Sequence, residues 1–257
     1  MNEIKFEKKN NDGVILRARF ICPDEISDKS PLVMMLTGDG PKGANSLSWV
    51  NLPPRLAKFG ISSLLFDFAG LGNSDGERKE LTLTKGIEDF KIIFEALNDF
   101  DWIDRDNIGI MGSSFGANVA LLCPDLMNQT KAIGLKSPSC FLPDAYLNEI
   151  SSEDYNKWIE SGFCEENGYN VSVLFDPFNY NTYSEVKKIN TQCLITHGSK
   201  DEIVPTSQSC YLKELWGGDI ELIIFENGNH GYSTNDGKDW EKMASLFITF
   251  FNQNLAK

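Results

Sequence analysis

Gly112-Ser113-Ser114-Phe115-Gly116 places a hydroxyl between two glycines, directly after the apolar run Ile108-Gly109-Ile110-Met111. A nucleophile exposed where a buried strand turns sharply into a helix needs small residues two places before and after it, because the backbone there is crowded. Gly112 and Gly116 stand at those places around Ser114, whereas Ser113 has no such pair. A serine hydroxyl is a poor nucleophile at neutral pH and needs a base. The chain has two histidines, His197 and His230, and Asp201, Glu202, Asp236 and Asp239 are weighed as the acid. A carboxylate behind the base would fix its tautomer and stabilise the imidazolium. Acyl chemistry also needs N–H donors aimed at a developing oxyanion. The turn offers the amide of Phe115, and the run from Thr37 to Gly43 offers a second at Asp39, with Gly40 as the alternative. An ionised Asp39 side chain would repel an oxyanion, so it must point away.

These groups need a frame. The start alternates like an antiparallel hairpin, "IKFEKK" and "VILRARFI" around the polar turn "NNDG". "LVMMLTG", "ISSLLFDF", "NIGIMG", "KAIGLKS", "QCLITHG" and "IELIIFE" are continuous apolar runs, the pattern of strands buried on both faces. Helical patterns lie between them, most clearly "GIEDFKIIFEALNDF", where Ile87, Phe90, Phe94 and Leu97 share a face, and from about Trp240 to Phe251. The alternation predicts a single α/β domain over 1–257, with a mostly parallel central sheet covered by helices on both faces. About 139–188 breaks the rhythm: it is rich in aromatics and has no strong buried-strand signal. It is too long for an ordinary connection and too apolar for a linker, and is expected to be a small inserted cap of short helices.

Taken together, "GSSFGA", "HGSKDEIVP", "GNHGY" and "FDFAGLGNSDG" resemble the α/β-hydrolase superfamily over nearly the whole chain. The set looks closest to cap-bearing serine esterases of the cinnamoyl and feruloyl type and to serine aminopeptidase-type hydrolases. That resemblance implies the chain order nucleophile, acid, histidine, and hence Ser114, Asp201 and His230 as the catalytic set. His197 precedes the acid and is expected to be a loop histidine shaping the end of the preceding strand. Asp236 and Asp239 come too late, and Glu202 is expected to face solvent. The implied activity is cleavage of an ester, thioester or amide through an acyl-enzyme, with no metal and no organic cofactor. Acyl transfer by the same set, and a silent ligand-binding protein, are the alternatives. Thr37-Gly38 departs from the His-Gly frequent in relatives. Two glycine-rich runs imitate nucleotide loops: in "GLGNSDG" the third glycine falls one place late, and in "GDGPKGANS" the lysine precedes its glycine.

The formal charge of −13 argues against nucleic acid or an anionic membrane as the main partner, and leaves a small-molecule substrate. The local potential in a cleft need not follow that sum. The N-terminus shows no secretory pattern and no run is long enough to span a bilayer, so a cytoplasmic location is expected. Six cysteines without CxxC spacing are expected to be free thiols.

Overall fold

The protein is described here by a computed structural model over residues 1–26 and 29–255. Asn2–Lys9 (β1) and Ile15–Cys22 (β2) form the expected antiparallel hairpin, with Leu16, Ala18, Phe20 and Cys22 buried at every second position. Ser30–Leu36 (β3) leads through short helices Leu47–Asn51 (α1) and Pro53–Ala57 (α2) to Ser62–Phe66 (β4). Leu83–Glu95 (α3) follows, its first turn capped by the Thr82 hydroxyl accepting from the Lys85 N–H. Next come Ile103–Ser113 (β5), Phe115–Leu121 (α4), Pro124–Met127 (α5) and Ala132–Lys136 (β6).

Between β6 and the next strand of the main sheet lies the 139–188 segment, expected from the sequence to be a cap of short helices. It holds Leu142–Asn148 (α6), Ser152–Ser161 (α7), the two-residue strands Phe163–Cys164 (β7) and Tyr169–Asn170 (β8), Ser172–Phe175 (α8) and Thr182–Glu185 (α9). The small β7–β8 hairpin was not expected from the sequence, because two-residue strands carry no alternation to read. Cys193–Gly198 (β9), Ser207–Leu215 (α10), Ile220–Phe225 (β10) and Lys238–Leu255 (α11) complete the chain.

The eight-stranded sheet runs β1-β2-β4-β3-β5-β6-β9-β10, parallel throughout except where β2 pairs with β1 and β4. The unbroken apolar runs are explained by the period of two. Leu32, Met34 and Leu36 of β3 enter one core cluster, while Val33 and Met35 enter the other, and β4 divides in the same way. One cluster is packed by α3 and α4 and includes Tyr146, Trp158 and Tyr169 of the 139–188 segment. The other is packed by Leu56 of α2 and by Met243, Phe247 and Phe251 of α11. Burial of these two layers fixes the strands, and so fixes the edge at which β3, β5, β6, β9 and β10 all end. The candidate residues lie on the loops leaving that edge.

Candidate active site

Ser114 sits between β5 and α4 with φ 48° and ψ −115°, a strained backbone for a residue bearing a side chain. The structure explains both glycines flanking it. A Cβ on Gly112 would lie 2.7 Å from the Cα of Ala117, and one on Gly116 would lie 2.3 Å from the carbonyl oxygen of Thr37. Neither neighbour is a movable side chain. Gly116 therefore lets the elbow press against the end of β3, and Gly38 follows within contact range of the Ser114 Cβ. The Ser114 N–H donates to the Lys136 carbonyl at 3.1 Å, and its own carbonyl accepts from the amides of Asn118 and Ser139. The elbow is thus tied to β6 and to the start of the 139–188 segment.

Asp201 and His230 come together from different loops. Amides of Ser199 and Lys200 donate to the carbonyls of Phe225 and Gly228, clamping the loop after β9 to the loop after β10. Across that clamp, His230 Nδ1 lies 2.7 Å from Asp201 Oδ2. A ring nitrogen facing a carboxylate carries its proton, which leaves the Nε2 lone pair available. The Asp201 side chain is fully buried, and its Oδ1 accepts from the amides of Ile203 and Val204. Burial alone would raise its pKa. Hydrogen bonds from His197, from His230 and from the Val204 amide outweigh that and hold it well below the usual carboxylate range.

His197 corrects the expectation of a loop position. It lies within β9 and is completely buried, with Nδ1 2.7 Å from Ser209 Oγ. Its Nε2 faces two acceptors, the Val204 carbonyl at 3.0 Å and Asp201 Oδ2 at 3.1 Å, and so carries the proton. His197 thereby holds the same carboxylate oxygen as His230. A lone histidine in an apolar run gave no signal of this contact. Glu202 is exposed, and Asp239 accepts from Thr234 and Asn235 at the start of α11.

Lys136 was not foreseen. Its side chain is buried at the end of β6, and Nζ donates to the His230 carbonyl at 3.2 Å over the face of Tyr232. Burial lowers its pKa to about 8, opposed by the charge of Asp201. Through its two ends Lys136 brings the Ser114 elbow and the His230 loop together, with no direct hydrogen bond between the Ser114 and His230 side chains among the described residues.

The loop after β3 is held from both sides. Asp39 Oδ2 accepts from the Tyr146 hydroxyl at 3.0 Å, so its charge is drawn to the 139–188 segment. The Asp39 carbonyl accepts from the Tyr169 hydroxyl at 2.9 Å and from Arg78 Nε at 3.0 Å, and the Arg78 guanidinium stacks 4.0 Å over the Tyr169 ring. These donors fix the 39–40 peptide by its oxygen. On the other side, Asp67 Oδ1 accepts from the Ala44 amide and Oδ2 from the Asn73 amide. A Cβ on Gly43 or Gly72 would overlap the Asp67 carboxylate, which accounts for both glycines. The two runs that imitate nucleotide loops therefore use these amides to hold the chain's own carboxylate. α4 begins at Phe115, so the Phe115 N–H precedes any intrahelical acceptor.

The fold is that of the α/β hydrolases. Among solved structures, Est1E from Butyrivibrio proteoclasticus with ferulic acid bound has a TM-score of 0.83 at 21% identity, over 98% of this chain and 100% of that one. The chain belongs to the prolyl oligopeptidase family, whose model matches residues 76–257. Among curated proteins it is 26% identical over 225 residues to the mitochondrial palmitoyl-protein thioesterase ABHD10 of Homo sapiens, covering 80% of this chain and 69% of that protein. It is 41% identical over 121 residues to the polyketide transferase claH of Penicillium crustosum, covering 47% of this chain and 39% of that one. No described helix is long and apolar enough to cross a membrane, and all six cysteines are free.

Proposed function

We propose that the protein is a serine hydrolase that cleaves a carboxylic ester or thioester through an acyl-enzyme. The observation that carries this reading is the Asp201–His230 pair, closed at 2.7 Å and joined by Lys136 to a strained serine elbow. His230 Nε2 takes the Ser114 proton as Oγ attacks the carbonyl carbon, and the imidazolium that forms is stabilised by ionised Asp201. Hydrogen bonds of this kind are often long in a free enzyme and tighten when substrate binds. The amides of Phe115 and Asp39 receive the oxyanion; Asp39 is preferred to Gly40 because Gly38 lies against Ser114, and the Asp39 carboxylate is drawn aside by Tyr146. His230 then protonates the leaving group, and water, deprotonated by the same ring, releases the acid.

The 139–188 segment serves as a small cap within a single 1–257 domain, and its aromatic residues favour an apolar or aromatic acyl or alcohol group. Six free thiols favour a reducing compartment such as the cytoplasm. Pre-steady-state hydrolysis of p-nitrophenyl butyrate and of butyryl thioesters tests the activity. A burst of one p-nitrophenol per chain, lost in Ser114→Ala, is expected; turnover of none of these esters overturns it. Similarity to a polyketide transferase favours a second reading, acyl transfer to an alcohol or amine. Added nucleophiles that divert the acyl group faster than water would select it.

A further inference from the structure

Adjoining the elbow is a cavity of about 360 Å³ whose lining includes Thr37, Gly38, Lys42, Ser46, Ser113 and Lys136. Its walls combine an apolar part, with Pro41 and Trp49, and a polar part of hydroxyls and two lysines, in a chain of net charge −13. Ser113 and Lys136 are register partners on neighbouring strands, so their side chains stand on one face of the sheet. Ser113 is therefore not a spare nucleophile: it faces this cavity while Ser114 forms the elbow. Lys136 carries three N–H donors and spends one on the His230 carbonyl; it makes no ion pair among the described residues. Thr37, at the end of β3, keeps a buried hydroxyl without a hydrogen-bond partner. Unused donors on a buried ammonium are costly unless something completes them.

We propose that this cavity is a subsite for an anionic group, a carboxylate or a phosphate, bound by the Lys136 ammonium with help from Ser113 and Lys42. The inference rests on the serine-hydrolase reading for its place beside the reacting bond. The substrate is then an amphiphile, with its apolar part under the 139–188 segment and its charged end beside Lys136. The groups facing that ammonium are the Tyr232 ring, the His230 carbonyl and the Asp201 carboxylate, with Lys42 on the cavity wall. Anion affinity therefore weakens as pH rises past about 8, where Lys136 loses its proton.

Calorimetric titration of the whole protein with succinate and with inorganic phosphate tests the subsite without needing catalysis. Wild type is expected to bind at least one of them, and that anion should compete with p-nitrophenyl butyrate if the protein turns the ester over. Tighter binding of succinate assigns a carboxylate, and tighter binding of phosphate a phosphoryl group. Lys136→Met should weaken the affinity at least tenfold and Ser113→Ala severalfold. If Lys136→Met does not fold, the small Ser113→Ala change carries the test. Failure of both anions to bind, or affinities unchanged in the variants, overturns the subsite. Lys136-dependent binding in a protein that hydrolyses no ester would instead overturn the hydrolase reading and leave the anion site standing.

Discussion

Gly116→Ala adds one methyl group at the closest contact around the elbow. The new Cβ would lie 2.3 Å from the Thr37 carbonyl oxygen and 2.5 Å from that of Leu36, both backbone atoms at the end of β3. Relief to an ordinary contact needs a separation of about 1 Å between the elbow and this strand, the scale of overpacking that costs roughly 1–3 kcal/mol of stability. The same movement carries Gly38 and Asp39 away from Ser114. Oxyanion donors work at about 2.7–3.1 Å, so a 1 Å displacement removes one, worth about 3 kcal/mol or on the order of a hundredfold in kcat. Gly60→Ala supplies the control. Gly60 is distant from the site with φ +74° and open space around it, so alanine there costs about 1 kcal/mol of backbone strain without touching the elbow. The assay is kcat and KM for p-nitrophenyl butyrate beside a thermal melt. Gly116→Ala is expected to lose kcat far beyond its loss of stability, and Gly60→Ala to lose stability alone. A Gly116→Ala enzyme with wild-type kcat would refute the placement of the Asp39 donor.

Asp201→Asn cannot accept all four hydrogen bonds that Asp201 receives, and should cost about 3 kcal/mol of stability and on the order of 10³–10⁴ in kcat, measured by urea unfolding and steady-state kinetics. Tyr146→Phe frees the Asp39 carboxylate; kcat should fall about fivefold, as about 1 kcal/mol per lost hydrogen bond implies, with little change in KM. Asp89 is buried, and burial raises its carboxyl to about 6 despite hydrogen bonds from the Ala69 amide and Asn10. A raised folded pKa gives stabilisation that is complete below the ordinary value near 4 and lost as pH rises through about 6, a change of roughly 3 kcal/mol. Urea unfolding across that window should show this slope in wild type and its absence in Asp89→Asn.

The parallel sheet was legible because every central strand is buried on both faces, and a continuous run such as Leu32–Leu36 has few other uses. The serine elbow was legible for a steric reason, since contacts to Ala117 and Thr37 admit only glycine. Local strings do not record what those loops touch. Tyr146 and Tyr169 reach Asp39 across more than a hundred residues, and nothing in their own segment marks them as partners of the β3 loop. Lys136 was hidden by its strand: lysine in a buried run is rare, and its meaning depends on the carbonyl of His230. His197 read as a loop residue because the turn begins two positions later, just past the end of β9.

The central claim is tested most directly by mapping the adduct of a fluorophosphonate probe on the intact protein by mass spectrometry. One adduct on Ser114, absent from His230→Ala and slowed in Asp201→Asn, is the predicted result. Modification of Ser113 in place of Ser114, or labelling that survives both substitutions, would contradict it.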